Sequence, residues 1–284
     1  MVIDVHTHTF PDKIASVAIR TLKGKSHTKA FTDGTNDGLI LSMHNSGVDY
    51  SIVQPVATSA HQVEHINDSA IKINSQAKLT GLYSFGAMHP DFEDYEKELA
   101  RLKNFGIMGI KLHPVYQECD IDDAKYIKIL KCCEKLGLCV LIHAGWDISY
   151  PGIANAMPDK IARALDKSGA SKIILAHMGG WQCNKQVLEI LKDSGAYFDT
   201  AFSFGTITPD PEDDFYNTHA LPELPDHEKF YELIQNLGVE KVLFGTDSPW
   251  FSQKYSVEFI KSLGLNENEL NQIFSGNIKN LLGI

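Results

Sequence analysis

Eight short apolar runs recur along this chain of 284 residues, and most are followed by a polar turn and an amphipathic segment with helical spacing. Most successive runs start about 24 to 34 residues apart, which is the length of one β-loop-α unit. The runs are almost continuously apolar, as in parallel strands that are buried on both faces. The predicted strands are Val2–His6, Ser51–Val56, Thr80–Ala87, Gly109–Leu112, Cys139–His143, Ile173–His177, Ala196–Asp199 and Val242–Gly245.

Eight such strands alternating with helices predict an α/β fold, a single-domain (β/α)8 (TIM) barrel over residues 1–284. An open doubly wound sheet is the alternative, and it would carry a glycine-rich phosphate turn after the first strand. Here the first strand runs into His6-Thr7-His8 instead. The helices with the clearest signals each end at or shortly before a glycine, the usual stop signal. They are Asp91–Phe105, Asp122–Leu136, Lys185–Asp193 and Glu228–Leu237.

Three connections are long, and all follow the carboxyl ends of predicted strands: Thr9–Thr35, Gly145–Pro158 and Thr200–Asp226. We interpret them as loops. In barrels of this type the active site lies at that end, and long loops there form lids or substrate walls.

Composition excludes several classes of partner. The chain carries 26 Lys and Arg against 36 Asp and Glu, a formal charge of −10, which argues against nucleic-acid binding. No apolar run reaches the length of a membrane span, and a strand beginning at Val2 leaves no room for a signal peptide. Five cysteines without a CxxC motif favour a reduced, cytoplasmic protein. We expect a small-molecule substrate, no membrane partner and, as a candidate assembly, a homodimer.

The motif Asp4-Val5-His6-Thr7-His8 indicates metal chemistry. Residues i and i+2 of a strand project to the same side, so His6 and His8 are expected to point together. Two imidazoles on one side are half of a zinc site. Two polar residues in a loop are the alternative explanation of the pair taken alone.

Three further strand ends repeat the pattern. An apolar run leads to His143, another to His177, and a third to Asp247. A barrel brings these ends to one small mouth, so a shared site is a better explanation than five unrelated side chains. The imidazole and carboxylate ligands suit several divalent metals.

With these residues the sequence resembles the amidohydrolase superfamily of metal-dependent hydrolases. It looks closest to the branch that includes aminocarboxymuconate semialdehyde decarboxylase. The resemblance runs from Val2 to Asp247 and into the helical tail. Besides the first-strand motif it includes Gly109-Ile110-Lys111-Leu112-His113-Pro114, Leu141-Ile142-His143-Ala144-Gly145, Ala176-His177-Met178-Gly179-Gly180 and Gly245-Thr246-Asp247-Ser248-Pro249-Trp250.

The resemblance implies roles for these residues. His6, His8, His143 and Asp247 would bind a divalent metal, expected to be Zn²⁺, as one or two ions. Asp247 would also carry the proton of an activated water. His177 would be a ligand of a second ion, or a base that orients water beside a single ion. Zinc lowers the pKa of a bound water to about 7, which makes a nucleophile at neutral pH.

Lys111 has three alternative roles. The resemblance allows a carbamylated bridge between two metals, or a free cation for a substrate carboxylate; a lysine simply buried against an acid is the third. His113, two residues further on, faces the same side and is predicted to contact substrate. Trp146 and Trp250 each follow a predicted ligand by three residues, and we expect them to wall the pocket.

The resemblance makes hydrolysis of a C–N or C–O bond in a small carbonyl compound the expected reaction. The alternative is a nonoxidative decarboxylation of a small unsaturated carboxylic acid, which needs cations near the metal. Lys111 is available for that role, and Arg20 in the loop after the first strand could reach. A non-catalytic metal-binding barrel is the third alternative, and the intact Asp247 argues against it.

Overall fold

The computed structural model describes residues 1–284, and every strand pairing in it is parallel. The predicted runs all form strands, and the third run divides in two at Phe85. The strands are β1 (Ile3–Thr7), β2 (Tyr50–Val53), β3 (Leu82–Ser84), β4 (Gly86–Ala87), β5 (Gly109–Leu112), β6 (Cys139–Ile142), β7 (Ile173–Leu175), β8 (Tyr197–Asp199) and β9 (Val242–Leu243).

The strands follow one another around a barrel in chain order. One sheet has the order β1-β2-β3 and the other β4-β5-β6-β7-β8-β9. Phe85 connects the two sheets because its N–H donates to the carbonyl of Val53 at 2.9 Å, which continues the pairing of β2 with β3. At the other seam Val5 N donates to Phe244 O at 2.9 Å and Asp247 N donates to His6 O at 2.7 Å. These bonds set β1 beside the chain that follows β9, so the predicted (β/α)8 barrel is confirmed.

Helices lie between the strands. They are α1 (Asp12–Ser26), α2 (Asn36–Ser46), α3 (Val63–Ser75), α4 (Ala77–Thr80), α5 (Tyr95–Asn104), α6 (Ala124–Leu136), α7 (Pro158–Ser168), α8 (Asn184–Ile190), α9 (His227–Leu237), α10 (Gln253–Ser262), α11 (Glu267–Asn271) and α12 (Asn277–Leu282). The side chain of Asp123 caps α6 by accepting from Lys125 N, and the helix ends at Gly137 in a left-handed conformation. None of the helices is long and apolar enough to span a bilayer.

The interpretation of Thr9–Thr35 as a loop was wrong over most of its length. The segment contains α1, and Arg20 therefore lies on a helix rather than in a loop. Only Ala15 and Ser26 of this helix are buried, although its apolar residues follow a helical spacing. Its apolar residues Ile14, Ala18 and Leu22 line a cavity instead.

A β-bulge in β1 decides which residues face the barrel interior. Val5 packs inside the barrel with Leu141, Ile174 and Leu243, so strict alternation would turn His6 outward. The pairing register with β2 shifts between Asp4 and Thr7, which is the signature of a bulge. His6 consequently follows Val5 into the interior, while Asp4 bonds to Thr246 and to Gln253 of α10.

Candidate metal centre

A cavity of about 820 Å³ opens at the carboxyl ends of the strands. Its floor carries all the metal ligands predicted from the sequence, together with Lys111 and His113. Its outer part runs between α1 and α3, past residues such as Phe10 and Ile66. The volume is in the usual range for small-molecule sites. The predicted site residues on its floor are His6, His8, Lys111, His113, His143, His177 and Asp247.

His6, His8 and Asp247 form the most compact group in the cavity. His8 Nε2 lies 3.2 Å from His6 Nε2, and Asp247 Oδ1 lies 3.0 Å from His8 Nε2 and 3.5 Å from His6 Nε2. The backbone of Asp247 has a φ of 64°, a left-handed conformation that is unfavourable for a residue with a side chain. The close bond from Asp247 N to His6 O keeps it there. The strained backbone at Asp247 therefore orients this carboxylate toward the two histidines.

Asp199, the last residue of β8, supports His6 from behind and was not singled out from the sequence. Its Oδ2 lies 2.9 Å from His6 Nδ1, and its Oδ1 accepts from His177 N and Ala201 N. An imidazole that donates from Nδ1 to a carboxylate keeps a lone pair at Nε2. Its position in the sequence could have indicated this role, because Asp199 ends its strand just as His143 and His177 follow theirs.

Lys111 lies on β5 and is buried to 1% exposure. Its Nζ is 3.2 Å from His6 Nε2, and no carboxylate oxygen lies within 4.0 Å of it. Burial lowers the pKa of Lys111 to about 8, although the charges of Asp199, Asp247 and Asp147 act in the opposite direction. Burial without an ion pair destabilises the charged form of the amine, so a neutral fraction is present near pH 7.

His143 and His177 form a second imidazole pair. His177 Nε2 lies 3.1 Å from His143 Nδ1, and His177 Nδ1 lies 2.8 Å from the carbonyl of Ala201, to which it donates. Burial lowers the pKa of His177 to about 4, so the ring is neutral at pH 7. The ring centroids of His177 and His6 are 5.3 Å apart, which places this pair beside the first group. His143 contacts His177 directly, but it makes no such contact with His6, His8 or Asp247.

His113 and Asp147 lie on the far side of His143. The His113 ring stacks on the His143 ring at 4.1 Å with an interplanar angle of 12°. Asp147 Oδ2 lies 3.6 Å from His113 Nε2 and 3.7 Å from His143 Nε2. Asp147 was missed in the sequence because it lies in a loop, four residues after His143, where no strand periodicity indicates the direction of its side chain. Burial raises its pKa to about 6.

The cavity walls are aromatic. Trp146 and Trp250 line the cavity as expected, and both are half-buried. Trp181 and Phe202 line it as well, and sequence reasoning missed them. The Trp181 indole donates to the carbonyl of Phe202 at 3.1 Å, which fixes this wall. Arg20 is not among the lining residues, so it does not supply the cation suggested for a substrate carboxylate.

A family model described as amidohydrolase matches residues 3–284. This chain belongs to the amidohydrolase family. No protein of curated function matches the sequence.

Solved structures show the same fold over the whole chain. The 5-carboxyvanillate decarboxylase of Sphingomonas paucimobilis is 16% identical, with a TM-score of 0.66 over 100% of this chain and 99% of that one. A dihydroxybenzoic acid decarboxylase of a Polaromonas species, with bound manganese and the inhibitor 2-nitroresorcinol, is 16% identical with a TM-score of 0.67, covering 99% and 96%. A probable 2-pyrone-4,6-dicarboxylic acid hydrolase of Acinetobacter baumannii is 16% identical with a TM-score of 0.64, covering 100% and 99%.

Amidohydrolases are metal-dependent, and the donor atoms of this chain fit a divalent ion. Two imidazole nitrogens and one carboxylate oxygen of the first group lie 3.0–3.5 Å from one another. Ligands about 2.0–2.2 Å from a common ion have this spacing. His143 Nε2 is also buried without a hydrogen-bond partner, so contacts within the protein do not satisfy both nitrogens of this ring.

Proposed function

We propose that this amidohydrolase is a zinc-dependent hydrolase that cleaves a C–N or C–O bond of a small carbonyl compound with water. The position of Asp247 carries the proposal. Its Oδ1 lies 3.0 Å from His8 Nε2, and its side chain remains 14% exposed at the cavity floor. The carboxylate is therefore beside the proposed ligands and also within reach of a substrate, as a proton carrier for hydrolysis must be.

His6, His8 and Asp247 would hold the ion, with His143 Nδ1 and His177 Nε2 adjacent. When bound, the ion supplies a Lewis acid that acidifies water and polarises a carbonyl oxygen. Asp247 accepts the proton of the attacking water at a carboxylate oxygen and returns it to the departing nitrogen or oxygen. The elements of water are thus divided between the two products.

The other residues bind, orient and exclude water. His177 stays neutral and keeps its Nε2 lone pair toward the site, because its Nδ1 donates to Ala201 O. Trp146 and Trp250 shield the reacting bond from bulk water, and His113 contacts the substrate from the cavity floor. Lys111, on the cavity floor beside His6, is proposed to contact the substrate.

Decarboxylation is the second candidate, because two of the similar folds described above belong to decarboxylases of aromatic acids. A carboxylate substrate needs a cationic partner near the metal. Lys111 is the one buried cation on the cavity floor, and the lining lysines Lys13 and Lys72 are exposed on α1 and α3. No arginine lines the cavity. This charge distribution favours hydrolysis.

A panel of small lactones, amides and unsaturated carboxylic acids, assayed in ¹⁸O-labelled water, decides between the two reactions. Hydrolysis incorporates one labelled oxygen into the carbonyl product. Release of CO₂ without hydrolytic cleavage would replace the hydrolase proposal with decarboxylation. Parallel reconstitution with Zn²⁺ and Mn²⁺ identifies the metal, because the better ion gives the larger gain in both thermal stability and rate.

A further inference from the structure

His143 has one buried nitrogen that is unsatisfied. Its Nε2 is shielded from solvent and has no hydrogen-bond partner, although Asp147 Oδ2 is only 3.7 Å away. Both side chains are more than nine-tenths buried. Buried polar atoms almost always have partners, so this pair needs an explanation.

The proton positions explain the mismatch. His177 Nδ1 donates to the carbonyl of Ala201, so His177 Nε2 has only a lone pair to offer. His143 Nδ1, 3.1 Å from that lone pair, must then be the donor. The single proton of the neutral His143 ring is therefore on Nδ1. Its Nε2 carries a lone pair that points toward the Asp147 carboxylate. Two buried acceptors face each other.

The opposite tautomer removes the conflict. When Nδ1 of His143 serves as a metal ligand, the ring proton belongs to Nε2 and Asp147 Oδ2 becomes its acceptor. Carboxylates commonly accept from the outer nitrogen of a metal-bound histidine and fix its tautomer. Asp199 has this relation to His6.

Asp147 is itself held in place for this task. Its Oδ1 accepts from Ser149 N at 2.7 Å, which leaves Oδ2 to face the two histidines. His113 Nδ1 accepts from Tyr116 N, so the His113 proton lies at Nε2 and also points toward Asp147. The stacked His113 ring hinders rotation of His143.

We propose that Asp147 is a positioning residue that selects the Nε2-protonated tautomer of His143, so that Nδ1 faces the metal centre. The inference rests on the proposed metal site. It names a role for a residue outside the predicted ligand set.

The substitution Asp147→Asn tests this tautomer selection. The amide oxygen keeps the bond from Ser149 N, so the amide NH₂ takes the place of Oδ2 and donates to His143 Nε2. This stabilises the Nδ1-protonated tautomer of His143, which cannot bind the metal through Nδ1. Asp147→Ala only removes the acceptor for His143 Nε2. We expect Zn²⁺ affinity, measured by competition with a chromophoric chelator, to fall about 10- to 100-fold in Asp147→Asn. The loss in Asp147→Ala should be smaller.

The order of the two variants separates tautomer selection from packing. A packing role predicts the reverse order, because Asn preserves the side-chain volume and Ala leaves a hole. Nitrogen-15 NMR of histidine-labelled, zinc-loaded protein should show His143 protonated at Nε2 in the parent protein and at Nδ1 in Asp147→Asn. Asp159→Asn, on the surface of α7, is the control and should bind Zn²⁺ like the parent.

Asp147→Asn with unchanged affinity, or Asp147→Ala binding more weakly than Asp147→Asn, would overturn the inference. Failure of the parent protein to bind a divalent metal would instead overturn the proposed function. The two failures are therefore distinguishable from the parent measurement alone.

Discussion

Asp199 Oδ2 lies 2.9 Å from His6 Nδ1, and both side chains are almost completely shielded from solvent. The other oxygen of the same carboxylate accepts from His177 N at 2.9 Å and Ala201 N at 3.1 Å. One side chain therefore connects the ends of β1, β7 and β8. It fixes the proton of His6 on Nδ1, away from the cavity.

Asp199→Asn should weaken metal binding. The two backbone donors hold the amide oxygen, so the amide NH₂ faces His6 Nδ1 and moves the ring proton to Nε2. We expect Zn²⁺ affinity to fall about 10- to 100-fold, measured by chelator competition on freshly refolded protein. Circular dichroism should remain that of the parent. Parent-like affinity in a folded variant would show that Asp199 does not control the tautomer of a metal-binding His6.

Asp247→Asn should abolish proton transfer while keeping the shape of the site. A positioned general base contributes about 10²- to 10⁴-fold to a rate, so kcat should fall by that factor at saturating metal. The measurement uses the best substrate from the panel, with metal content determined on the same sample. Trp250→Phe is the matched control from the same loop and should act mainly on KM. A variant that keeps full kcat would remove Asp247 from the proton path.

The sequence predicted the strands and the residues at their ends more accurately than the relations among those residues. The predicted strand Gly109–Leu112 is identical to β5, because its apolar run is bounded by a glycine and a proline-containing turn. The helix α1 was not predicted, because its segment was interpreted as a long loop. Its apolar side faces a cavity rather than the core.

The site was predicted in part for a related reason. His6 and His8 do project together, but they reach the interior through a bulge that the sequence pattern does not reveal. Asp199 and Asp147 act through other side chains, and such relations depend on distances between elements far apart in sequence. Local periodicity carries no information on those distances.

Lys111→Ala tests the chemical state of the buried amine. Burial lowers the pKa of Lys111 to about 8 and no acid pairs with it, so the amine is available to react with CO₂. If Lys111 is carbamylated, metal content should fall by about one equivalent in Lys111→Ala and recover in part with added short carboxylates. Elemental analysis measures both. Unchanged metal content would leave Lys111 as a free substrate-binding amine.

His89 gives a pH-dependent stability that is independent of the metal. It follows β4, is 6% exposed, and its Nδ1 accepts from Asp91 N at 3.2 Å. Burial lowers its pKa below the usual 6.5, and Lys125 adds to this effect while Asp91 opposes it. Below pH 6.5 the unfolded chain therefore binds a proton that the folded chain does not.

The free energy of unfolding contributed by His89 must fall as the pH decreases from 6.5 to its folded pKa. His89→Gln lacks this titration, so urea unfolding should show the parent losing stability relative to the variant between pH 7.5 and about pH 5. His44→Gln, exposed on α2, is the matched control and should parallel the parent at every pH. An NMR titration that places the His89 pKa at or above 6.5 would contradict the prediction, because the folded ring would then gain its proton no later than the unfolded one.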